Sequence, residues 1–341
     1  MKAVFLNALN QPLELADADD NPVLGVGEVL IAVESAGVCF KDVLIVDGFQ
    51  PRVKLPIVLG HEAAGRIQAL GTGVQGFNVG DSVCSLGYIP CGTCAFCLSG
   101  RENICRARKW LGEDQNGAYA QSVRTHMNAL VKVPAGVSSD AAAAATCVLG
   151  TVVHGLKHLG NLTPGQTVLV TGAGGAVGAN AILVAKAMGA RTIGTDIPEK
   201  LEQIRTLGAD EVVPFTDRLS DQVKKLTGGE GVDLVLEAVG PPTFEQSLRS
   251  LRWGGKSVVI GNVTPSQMVP LALGPLILRE NAILGCMNAT RADVSDALAL
   301  IAEKKLTPDT QMVFPLRDAQ RAHDMIRQKK SAGKIILRPN S

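Results

Sequence analysis

Strong net charge is absent from this sequence. Its 341 residues include 33 lysines and arginines against 32 aspartates and glutamates, which leaves a net charge of +1, and the basic residues are scattered along the chain. Proteins that bind nucleic acid or an anionic membrane surface carry a basic cluster or stripe. The composition therefore argues against both partners and favours a small molecule as the ligand.

Long apolar runs are also scarce. Stretches such as 257–260 and 271–278 fall far short of the roughly 20 residues that cross a bilayer as a helix. The first four residues, Met-Lys-Ala-Val, are typical of a strand rather than of a signal peptide. These features predict a cytoplasmic protein without a membrane segment. Internal repeats are absent as well, which excludes a solenoid.

The length and the pattern of the chain predict two domains. A chain of 341 residues exceeds the size at which single hydrophobic cores stop growing. Up to about Lys132 the sequence is typical of short strands broken by glycine turns, with Val29, Ile31 and Val33 on one face. From Thr167 onward strands and helices alternate, as they do around a parallel sheet.

Particular elements can be assigned in this pattern. An alanine-rich helix is predicted at 139–145, and the α/β part has a strand at 167–171, a helix at 177–188 and a strand at 191–195. Further strands are predicted at 233–237 and 257–260. A helix at 292–304 and a closing strand at 334–337 fit neither pattern, so we expect them to return to the first domain.

A glycine-rich turn lies between the first α/β strand and its helix. Such a turn lets backbone N–H groups approach a pyrophosphate at a helix N-terminus. The residues that would bind it are Gly172, Gly174, Gly175, Ala176 and Val177. A purely structural turn is the alternative.

Asp196 closes the second strand, where a carboxylate can accept hydrogen bonds from the adenosine ribose hydroxyls and repel a 2′-phosphate. This favours NAD(H) over NADP(H). The same residue could instead cap the following helix, which holds Lys200 to Leu207.

Five of the eight cysteines lie between Cys84 and Cys105. Four of them form a C-x2-C-x2-C-x7-C pattern, which lets four thiolates converge on one tetrahedral zinc ion. They are Cys91, Cys94, Cys97 and Cys105. Two disulfides are the alternative, but two-residue spacings and a reducing compartment disfavour them. Four thiolates close the coordination shell, so this zinc would be structural.

Three further candidates, Cys39, His61 and Cys147, are far apart in sequence. Taken singly, each cysteine fits a small buried hydrophobe, and His61 fits a hydrogen-bonded core residue. The motifs around them change this interpretation. They are Gly-Val-Cys39-x-x-Asp42, Pro56-x-x-x-Gly60-His61-Glu62 and Gly80-Asp81-Ser82-Val83. With the four-cysteine segment and the glycine-rich turn, these motifs make the chain similar to the zinc-dependent medium-chain alcohol dehydrogenases over essentially its whole length.

The resemblance implies that Cys39, His61 and Cys147 bind a catalytic zinc, with a fourth position left for water or substrate. Such a zinc lowers the pKa of a bound alcohol, and hydride then moves to the nicotinamide; in reverse the metal polarises a carbonyl. In this family an acid like Asp42 orients the histidine ligand, and one like Glu62 approaches the metal transiently. Ordinary surface charge is the alternative for both.

The resemblance also implies a fold and partners. We expect a GroES-like, β-rich catalytic domain from residues 1–148 and 288–341, with a structural-zinc lobe at about 91–105. Residues 149–287 would form a Rossmann doubly wound parallel sheet. The chain would hold two Zn²⁺ ions and NAD(H), act on an alcohol, aldehyde or ketone, and form a homodimer or homotetramer. Residues expected near the cofactor are Lys200, Val239, Gly240, Gly261 and Lys334. For Lys334 a lysine on the surface is the alternative.

The sequence departs from the family at Lys41, where a serine or threonine usually relays the substrate proton. A lysine beside zinc could shuttle the proton itself, turn out toward a substrate anion or simply be solvated. The glycine-rich turn also resembles that of the enoyl and quinone reductases, which act on an activated C=C with NAD(P)H and often lack catalytic zinc.

That activity is therefore the alternative to alcohol dehydrogenation. A non-enzymatic nucleotide-binding protein is a third possibility that a complete metal triad disfavours. Three cysteine and histidine positions, Cys84, Cys286 and His323, are examples of those that spacing leaves unassigned.

Overall fold

The computed structural model describes residues 1–19, 22–50, 53–310 and 312–340. The chain forms two compact units. One comprises Met1–Gly150, Ala289–Lys304 and Thr310–Ser341, and the other comprises Thr151–Asn288 with Lys305–Asp309. The expected domain boundaries lie within two residues of these limits, except that the short segment Lys305–Asp309 belongs with the second unit.

Among its described residues, the first unit begins with ten strands. They are β1 (Lys2–Leu6), β2 (Glu14–Asp17), β3 (Glu28–Val38), β4 (Ile57–Val58), β5 (Glu62–Leu70), β6 (Ser82–Ser85), β7 (Tyr88–Ile89), β8 (Lys109–Trp110), β9 (Ser122–His126) and β10 (Leu130–Lys132). Two short helices interrupt them, α1 (Phe40–Val46) and α2 (Ala95–Leu98). Short 3₁₀ turns occur at Glu102–Ile104 and Met127–Ala129. This part of the chain is β-rich, as its glycine-broken pattern predicts.

A long helix, α3, covers Ser139–Leu159 and corrects the expectation about apolar runs. It has 21 residues, and an 18-residue window within it has a mean hydropathy of 1.2, so by length and composition it is long enough to cross a membrane. However, 83% of that window is buried inside the protein, as in the core helix of a folded domain. The predicted helix at 139–145 is its first part. Two of its turns, Ala145–Leu149 and His154–Leu159, are π-helical.

The second unit contains a six-stranded parallel sheet. Its strands are β11 (Thr167–Thr171), β12 (Arg191–Asp196), β13 (Glu211–Pro214), β14 (Val232–Glu237), β15 (Leu251–Val259) and β16 (Ala282–Gly285). Its helices are α4 (Ala176–Ala187), α5 (Leu201–Thr206), α6 (Leu219–Leu226), α7 (Pro241–Arg249) and α8 (Leu273–Leu278), with a 3₁₀ turn at Pro198–Lys200. The predicted strand 167–171 matches β11, and the predicted helix 177–188 is displaced by one residue.

The strand order in this sheet is β13-β12-β11-β14-β15-β16, with every neighbouring pair parallel. This is the doubly wound order of a Rossmann fold, in which the first three strands extend the sheet to one side and the fourth strand starts the other side, next to the first. This switch in strand order lies between β11 and β14. Loops at their carboxyl ends therefore diverge and leave a crevice in which a ligand can bind.

The chain then returns to the first unit. Helix α9 (Arg291–Ala302) is followed by strand β17 (Met312–Pro315), a 3₁₀ turn at Leu316–Asp318, helix α10 (Ala319–Arg327) and strand β18 (Ile335–Arg338). The larger sheet of this unit has the order β10-β6-β5-β3-β18-β17, with β9 also paired to β3. The predicted return of the segments at 292–304 and 334–337 to the first domain therefore agrees with the structure.

Candidate metal centre and cofactor-binding site

Four ligand-type side chains converge in the first unit. Ligand atoms of Cys39, His61, Glu62 and Cys147 all lie within 4.8 Å of one another. Cys39 precedes α1, His61 precedes β5, and Cys147 lies in the first π-helical turn of α3. Such π-helical turns occur frequently at functional sites.

Strand pairing explains why these residues meet. Strands β3 and β5 are antiparallel with Gly37 opposite Glu62, so the end of β3 and the start of β5 share one edge of the sheet. Strand β18 pairs with β3 at the same edge, where Ile335 lies opposite Val38. Side chains that flank these three strand ends are therefore brought together even though they are far apart in sequence.

Gly37 leaves room at this edge for the side chains of Glu62 and Lys334. A Cβ atom at this position would lie 2.1 Å from Oε2 of Glu62 and 2.8 Å from Cε of Lys334. Both distances are shorter than any real contact, so no larger residue fits without moving one of the two side chains. Gly37, which belongs to the motif preceding Cys39, is thus required for packing around the cluster.

Asp42 orients the histidine of the cluster. Its Oδ1 lies 2.9 Å from Nδ1 of His61, which leaves Nε2 of the imidazole to face the other ligand atoms. Its Oδ2 accepts hydrogen bonds from the Cys39 N–H at 3.1 Å and from the Tyr119 hydroxyl at 2.8 Å. Asp42 is 0% exposed, so the alternative of a surface charge does not apply.

The charges around the cluster shift its pKa values. Burial disfavours the imidazolium of His61, but the adjacent Asp42 carboxylate outweighs this and raises the pKa of His61 to about 10. A hydrogen bond from Cys147 holds the pKa of Cys39 well below its usual value, and the same contact raises the pKa of Cys147. Without a metal the site therefore holds a proton that a cation must displace on binding.

Lys334 lies in this cluster. Its ammonium is 1% exposed and donates to Oε1 of Glu62 at 2.5 Å and to the Val38 carbonyl at 2.8 Å. Burial lowers the pKa of Lys334, but Glu62, Cys39 and Cys147 outweigh burial and raise it overall. The alternative of a surface lysine is therefore wrong, and its expected contact with a cofactor stays a prediction.

The donor set suits zinc. Two sulfurs and one imidazole nitrogen form the three-ligand arrangement that leaves one coordination position open. Oε2 of Glu62 is buried and has no hydrogen-bond partner among the residues that the structure describes. An unpaired carboxylate oxygen beside such a cluster is consistent with a cation there. Glu62 is 0% exposed, so it too is not a surface charge.

The second cluster consists of Cys91, Cys94, Cys97 and Cys105. Neighbouring sulfurs lie 3.8 Å (Cys91–Cys97), 3.5 Å (Cys94–Cys97) and 3.8 Å (Cys94–Cys105) apart. A tetrahedron with Zn–S bonds of about 2.3 Å has edges of about 3.8 Å. None of these four cysteines forms a disulfide, so the disulfide alternative is not seen. The distances between their sulfurs fit a closed structural zinc site.

Lys41 does not turn outward. Its ammonium forms an ion pair with Oε1 of Glu113 and lies 3.6 Å from the ring centroid of Trp110. The Lys41 side chain is 23% exposed and that of Glu113 is 8% exposed. The expectation of a solvated lysine is therefore wrong, because a nearly buried carboxylate holds the cation inside. A proton shuttle by Lys41 and its contact with a substrate anion stay predictions.

The glycine-rich turn of the second unit follows β11 and opens α4. Gly172 has φ of +59°, a conformation that favours glycine. A Cβ at Gly174 would lie 2.7 Å from Cδ of Lys200, and one at Gly178 would lie 2.1 Å from the Gly172 carbonyl oxygen. These glycines therefore let Lys200 and the turn's own backbone approach closely, while Gly175, Ala176 and Val177 begin the helix.

Asp196 ends β12 beside this turn. Its Oδ2 accepts a hydrogen bond from the Gly174 N–H at 2.9 Å, and its Oδ1 accepts one from the Ile197 N–H at 2.8 Å. The carboxylate thus fixes the turn, and its remaining lone pairs are available to a ligand. This contact across to the glycine-rich turn is not the helix cap that formed the alternative.

The other expected cofactor residues lie at the ends of β14 and β15. Gly240 has φ of +97°, and a Cβ there would lie 2.7 Å from the Gly261 carbonyl oxygen. The Val263 N–H donates to the Val239 carbonyl at 3.0 Å. The two loops therefore pack backbone to backbone at the carboxyl edge of the sheet, next to the crevice.

Three side chains in contact with the candidate site or its neighbours were not singled out from the sequence. Glu113, Tyr119 and His323 carry no motif, and each contacts a partner distant in the chain. His323, left unassigned above, lies 3.3 Å from the Tyr119 oxygen and is 0% exposed. The motif Cys39-x-x-Asp42 was the only sequence signal that pointed toward this network.

Comparison with known proteins identifies the family. Residues 25–135 match the alcohol dehydrogenase GroES-like domain, and residues 176–303 match the zinc-binding dehydrogenase family. The chain is 42% identical to an acryloyl-coenzyme A reductase from Metallosphaera sedula, over 99% of both chains. It is 34% identical to an alcohol dehydrogenase from Geobacillus stearothermophilus, over 99% of both chains.

A solved NAD-dependent alcohol dehydrogenase superposes with a TM-score of 0.92 at 33% identity, again over 99% of both chains. The predicted fold class, a Rossmann sheet with a GroES-like domain, is thereby confirmed. The motifs, the two clusters and these likenesses agree. The chain is an NAD(P)-dependent oxidoreductase that belongs to the zinc-type medium-chain dehydrogenase/reductase family.

Proposed function

We propose that this protein reduces the C=C bond of an α,β-unsaturated acyl thioester with NADH. The observation that carries the proposal is Lys41, which occupies the position of the family's relay hydroxyl and is paired with Glu113. Alcohol oxidation must release the hydroxyl proton of its substrate, so it uses such a relay. Reduction of a C=C bond takes up a proton at carbon and does not require that hydroxyl.

The likeness to the acryloyl-coenzyme A reductase of Metallosphaera sedula supports the same substrate class, since it extends over 99% of both chains at 42% identity. The reaction balances simply. Hydride from NADH adds to the β-carbon, a proton adds to the α-carbon, and the products are the saturated thioester and NAD⁺. Negative charge develops on the thioester carbonyl oxygen as the hydride arrives, so the site has to stabilise that oxygen.

The chain's own residues suit this task. Cys39, His61 and Cys147 would hold a zinc ion, which when bound supplies Lewis acidity toward a carbonyl oxygen. Asp42 holds the His61 ring with Nε2 toward the cluster. The buried Lys334 ammonium offsets the negative charge of the two sulfurs and Glu62. In the second unit, Asp196 favours a free ribose hydroxyl over a 2′-phosphate, which is the basis for proposing NADH.

A second candidate is the alcohol/carbonyl oxidoreduction that the resemblance first implied. It is favoured by one observation, the complete set of Cys39, His61 and Cys147 within 4.8 Å. A carbonyl substrate needs the same polarisation of oxygen and the same hydride donor. The two reactions differ in the carbon that receives the hydride and in the atom that takes the proton, which is the oxygen for a carbonyl and the α-carbon for a thioester.

The test follows NADH oxidation by the zinc-loaded protein with acryloyl-CoA and crotonyl-CoA on one side and simple aldehydes and ketones on the other. We expect the thioesters to be reduced and the aldehydes and ketones to react far more slowly. With deuterated NADH, the label should appear at the β-carbon of the saturated thioester. Reduction of the aldehydes with the thioesters untouched would establish the second candidate, and no turnover with either group would contradict both.

Two variants test the metal's part. Cys147→Ala removes a cluster ligand, and we expect zinc per chain to fall from about two to about one, with activity lost. The matched control is Cys84→Ala, because Cys84 is 0% exposed and lies in β6. This control should keep both zinc ions. Full thioester reduction by Cys147→Ala would show that the cluster takes no part in the reaction.

A further inference from the structure

Glu237 is a fully buried carboxylate that none of the sequence motifs includes. It ends β14 and is 0% exposed. Burying a carboxylate is costly unless hydrogen bonds satisfy it. Here Oε1 accepts from Thr171 Oγ1 at 2.6 Å, Val239 N at 3.0 Å, Gly240 N at 2.9 Å and Thr243 Oγ1 at 2.6 Å, and Oε2 accepts from Ser247 Oγ at 2.6 Å. Five donors therefore hold this side chain in one place.

Glu237 lies at the point in the sheet where the strand order switches from one side to the other. Thr171 is the last residue of β11 and Glu237 the last residue of β14, and these two strands are neighbours. The Thr171 hydroxyl donates to Glu237 and accepts from the Ala238 N–H at 2.9 Å. One hydroxyl thus joins the two strand ends from which the crevice loops diverge.

This pair determines where the loop surfaces lie. The glycine-rich turn begins directly after Thr171, and the loop that holds Val239 begins directly after Glu237. A Cβ at Gly172 would lie 2.8 Å from Cγ2 of Val239, so the valine packs against the first glycine of the turn. The backbone carbonyl of Glu237 also accepts from the N–H of Gly261 at 3.0 Å. The positions of three loops at the crevice therefore depend on the buried pair of Thr171 and Glu237.

We propose that Thr171 and Glu237 are positioning residues for the nicotinamide cofactor. Both are 0% exposed, so neither can touch the cofactor, and they act through the loop 238–240 and the glycine-rich turn. Loss of the Thr171 hydroxyl removes one of the four donors to Oε1 of Glu237 and leaves the Ala238 N–H without its acceptor, so the loop moves relative to the turn. The inference rests on cofactor binding, which follows from family membership, and not on the thioester substrate.

The experiment measures the Kd for NADH of the purified full-length protein from the change in nicotinamide fluorescence, without substrate. Thr171→Val replaces the hydroxyl by a methyl group of similar size, and Thr171→Ser keeps the hydroxyl. Thr195→Val is the matched control, because Thr195 is 1% exposed in the adjacent strand β12 and its hydroxyl has no partner among the described residues.

We expect Thr171→Val to raise the Kd about tenfold, equivalent to about 1.4 kcal/mol. Thr171→Ser and Thr195→Val should stay within about twofold of the wild type. In parallel, hydrogen exchange at the amides of Ala238, Val239 and Gly240 should accelerate in Thr171→Val alone. An unchanged Kd and unchanged exchange in Thr171→Val would overturn the proposal, as would equal weakening by Thr195→Val.

If Thr171→Val does not fold, Thr171→Ala provides the same test. It removes the same hydroxyl, so the Ala238 N–H loses its acceptor and Oε1 of Glu237 loses one of its four donors. We expect faster exchange at the amides of the loop 238–240 and weaker NADH binding. Normal exchange with normal NADH binding would refute the positioning role. Because no substrate is present, either result leaves the question of the thioester to the separate turnover experiment.

Discussion

Replacing Asp42 by asparagine should remove the metal from the cluster while leaving the four-cysteine site loaded. Asp42 accepts one hydrogen bond on Oδ1, from His61, and two on Oδ2, from the Cys39 N–H and the Tyr119 hydroxyl. An asparagine keeps one oxygen and gains an NH₂ group. Placing the oxygen on the Oδ2 side keeps two hydrogen bonds, so the NH₂ group faces Nδ1 of His61.

That orientation changes the histidine tautomer. Nδ1 must become the acceptor, so the proton moves to Nε2, which is the nitrogen that faces the other ligands. A protonated Nε2 cannot ligate a cation. Loss of a carboxylate that orients a metal-bound histidine typically costs 10- to 100-fold in metal affinity. We therefore expect zinc affinity at this cluster to fall about 10- to 100-fold, or about 1.4 to 2.7 kcal/mol.

The assay is zinc per chain after equilibration against a graded series of chelator concentrations. Asp42→Asn should lose one zinc ion at roughly a tenth or less of the chelator concentration that strips the wild type. The matched control is Asp140→Asn, which removes another buried carboxylate of the same unit that accepts from Ser35 and Arg338. Retention of both zinc ions by Asp42→Asn, or equal loss from Asp140→Asn, would refute the reasoning.

Three further predictions concern other parts of the molecule. Glu113→Gln leaves the Lys41 ammonium without its carboxylate and should lower the free energy of unfolding by about 1–3 kcal/mol. The double variant of Lys41→Met with Glu113→Gln should lower it by less than the two single changes added together. Urea unfolding of the four proteins measures this coupling, and simple additivity would mean that the ion pair contributes nothing to stability. Asp196→Ser should raise the ratio of kcat/KM for NADPH to that for NADH by about tenfold or more, because it removes a carboxylate that binds ribose hydroxyls and repels a 2′-phosphate. An unchanged ratio would show that Asp196 only holds the Gly174 backbone in place. Burial holds the pKa of His323 at about 4, below its ordinary 6.5. The unfolded chain therefore takes up a proton at His323 at a higher pH than the folded chain does. The stability that the neutral, buried His323 contributes above pH 6.5 is lost as the pH falls toward 4. Between pH 7 and pH 5 the wild type should therefore lose about 2 kcal/mol more than His323→Gln in urea unfolding, and parallel losses in the two proteins would contradict this.

Much of the candidate site was accessible from the sequence. The four-cysteine segment was predicted from its spacing alone, since two-residue intervals allow thiolates to converge locally on one ion. The strand 167–171 and the glycine-rich turn were predicted from periodicity and the placement of glycine. Cys39, His61 and Cys147 needed the family resemblance, because no local pattern joins residues so far apart.

What the sequence could not predict are contacts between side chains of distant segments. The ion pair of Lys41 with Glu113 and the contact of Tyr119 with His323 depend on which loops pack together. For Lys334 the sequence left a surface position open, whereas strand pairing at the edge of the larger sheet buries its ammonium against Glu62. Periodicity reports which face of an element is apolar, but not which other element covers that face.

The sequence by itself determined the class of this protein: two domains, a parallel sheet with a dinucleotide-type turn, and a closed four-thiolate site. These features are local, since they depend on spacing, turn chemistry and the alternation of apolar residues. Only the tertiary structure decided the electrostatic partners, which are Glu113 for Lys41, Lys334 for Glu62 and Thr171 for Glu237. A buried charge is stable only where donors or counter-charges surround it, and that surrounding exists only once the strands have paired and brought their ends together.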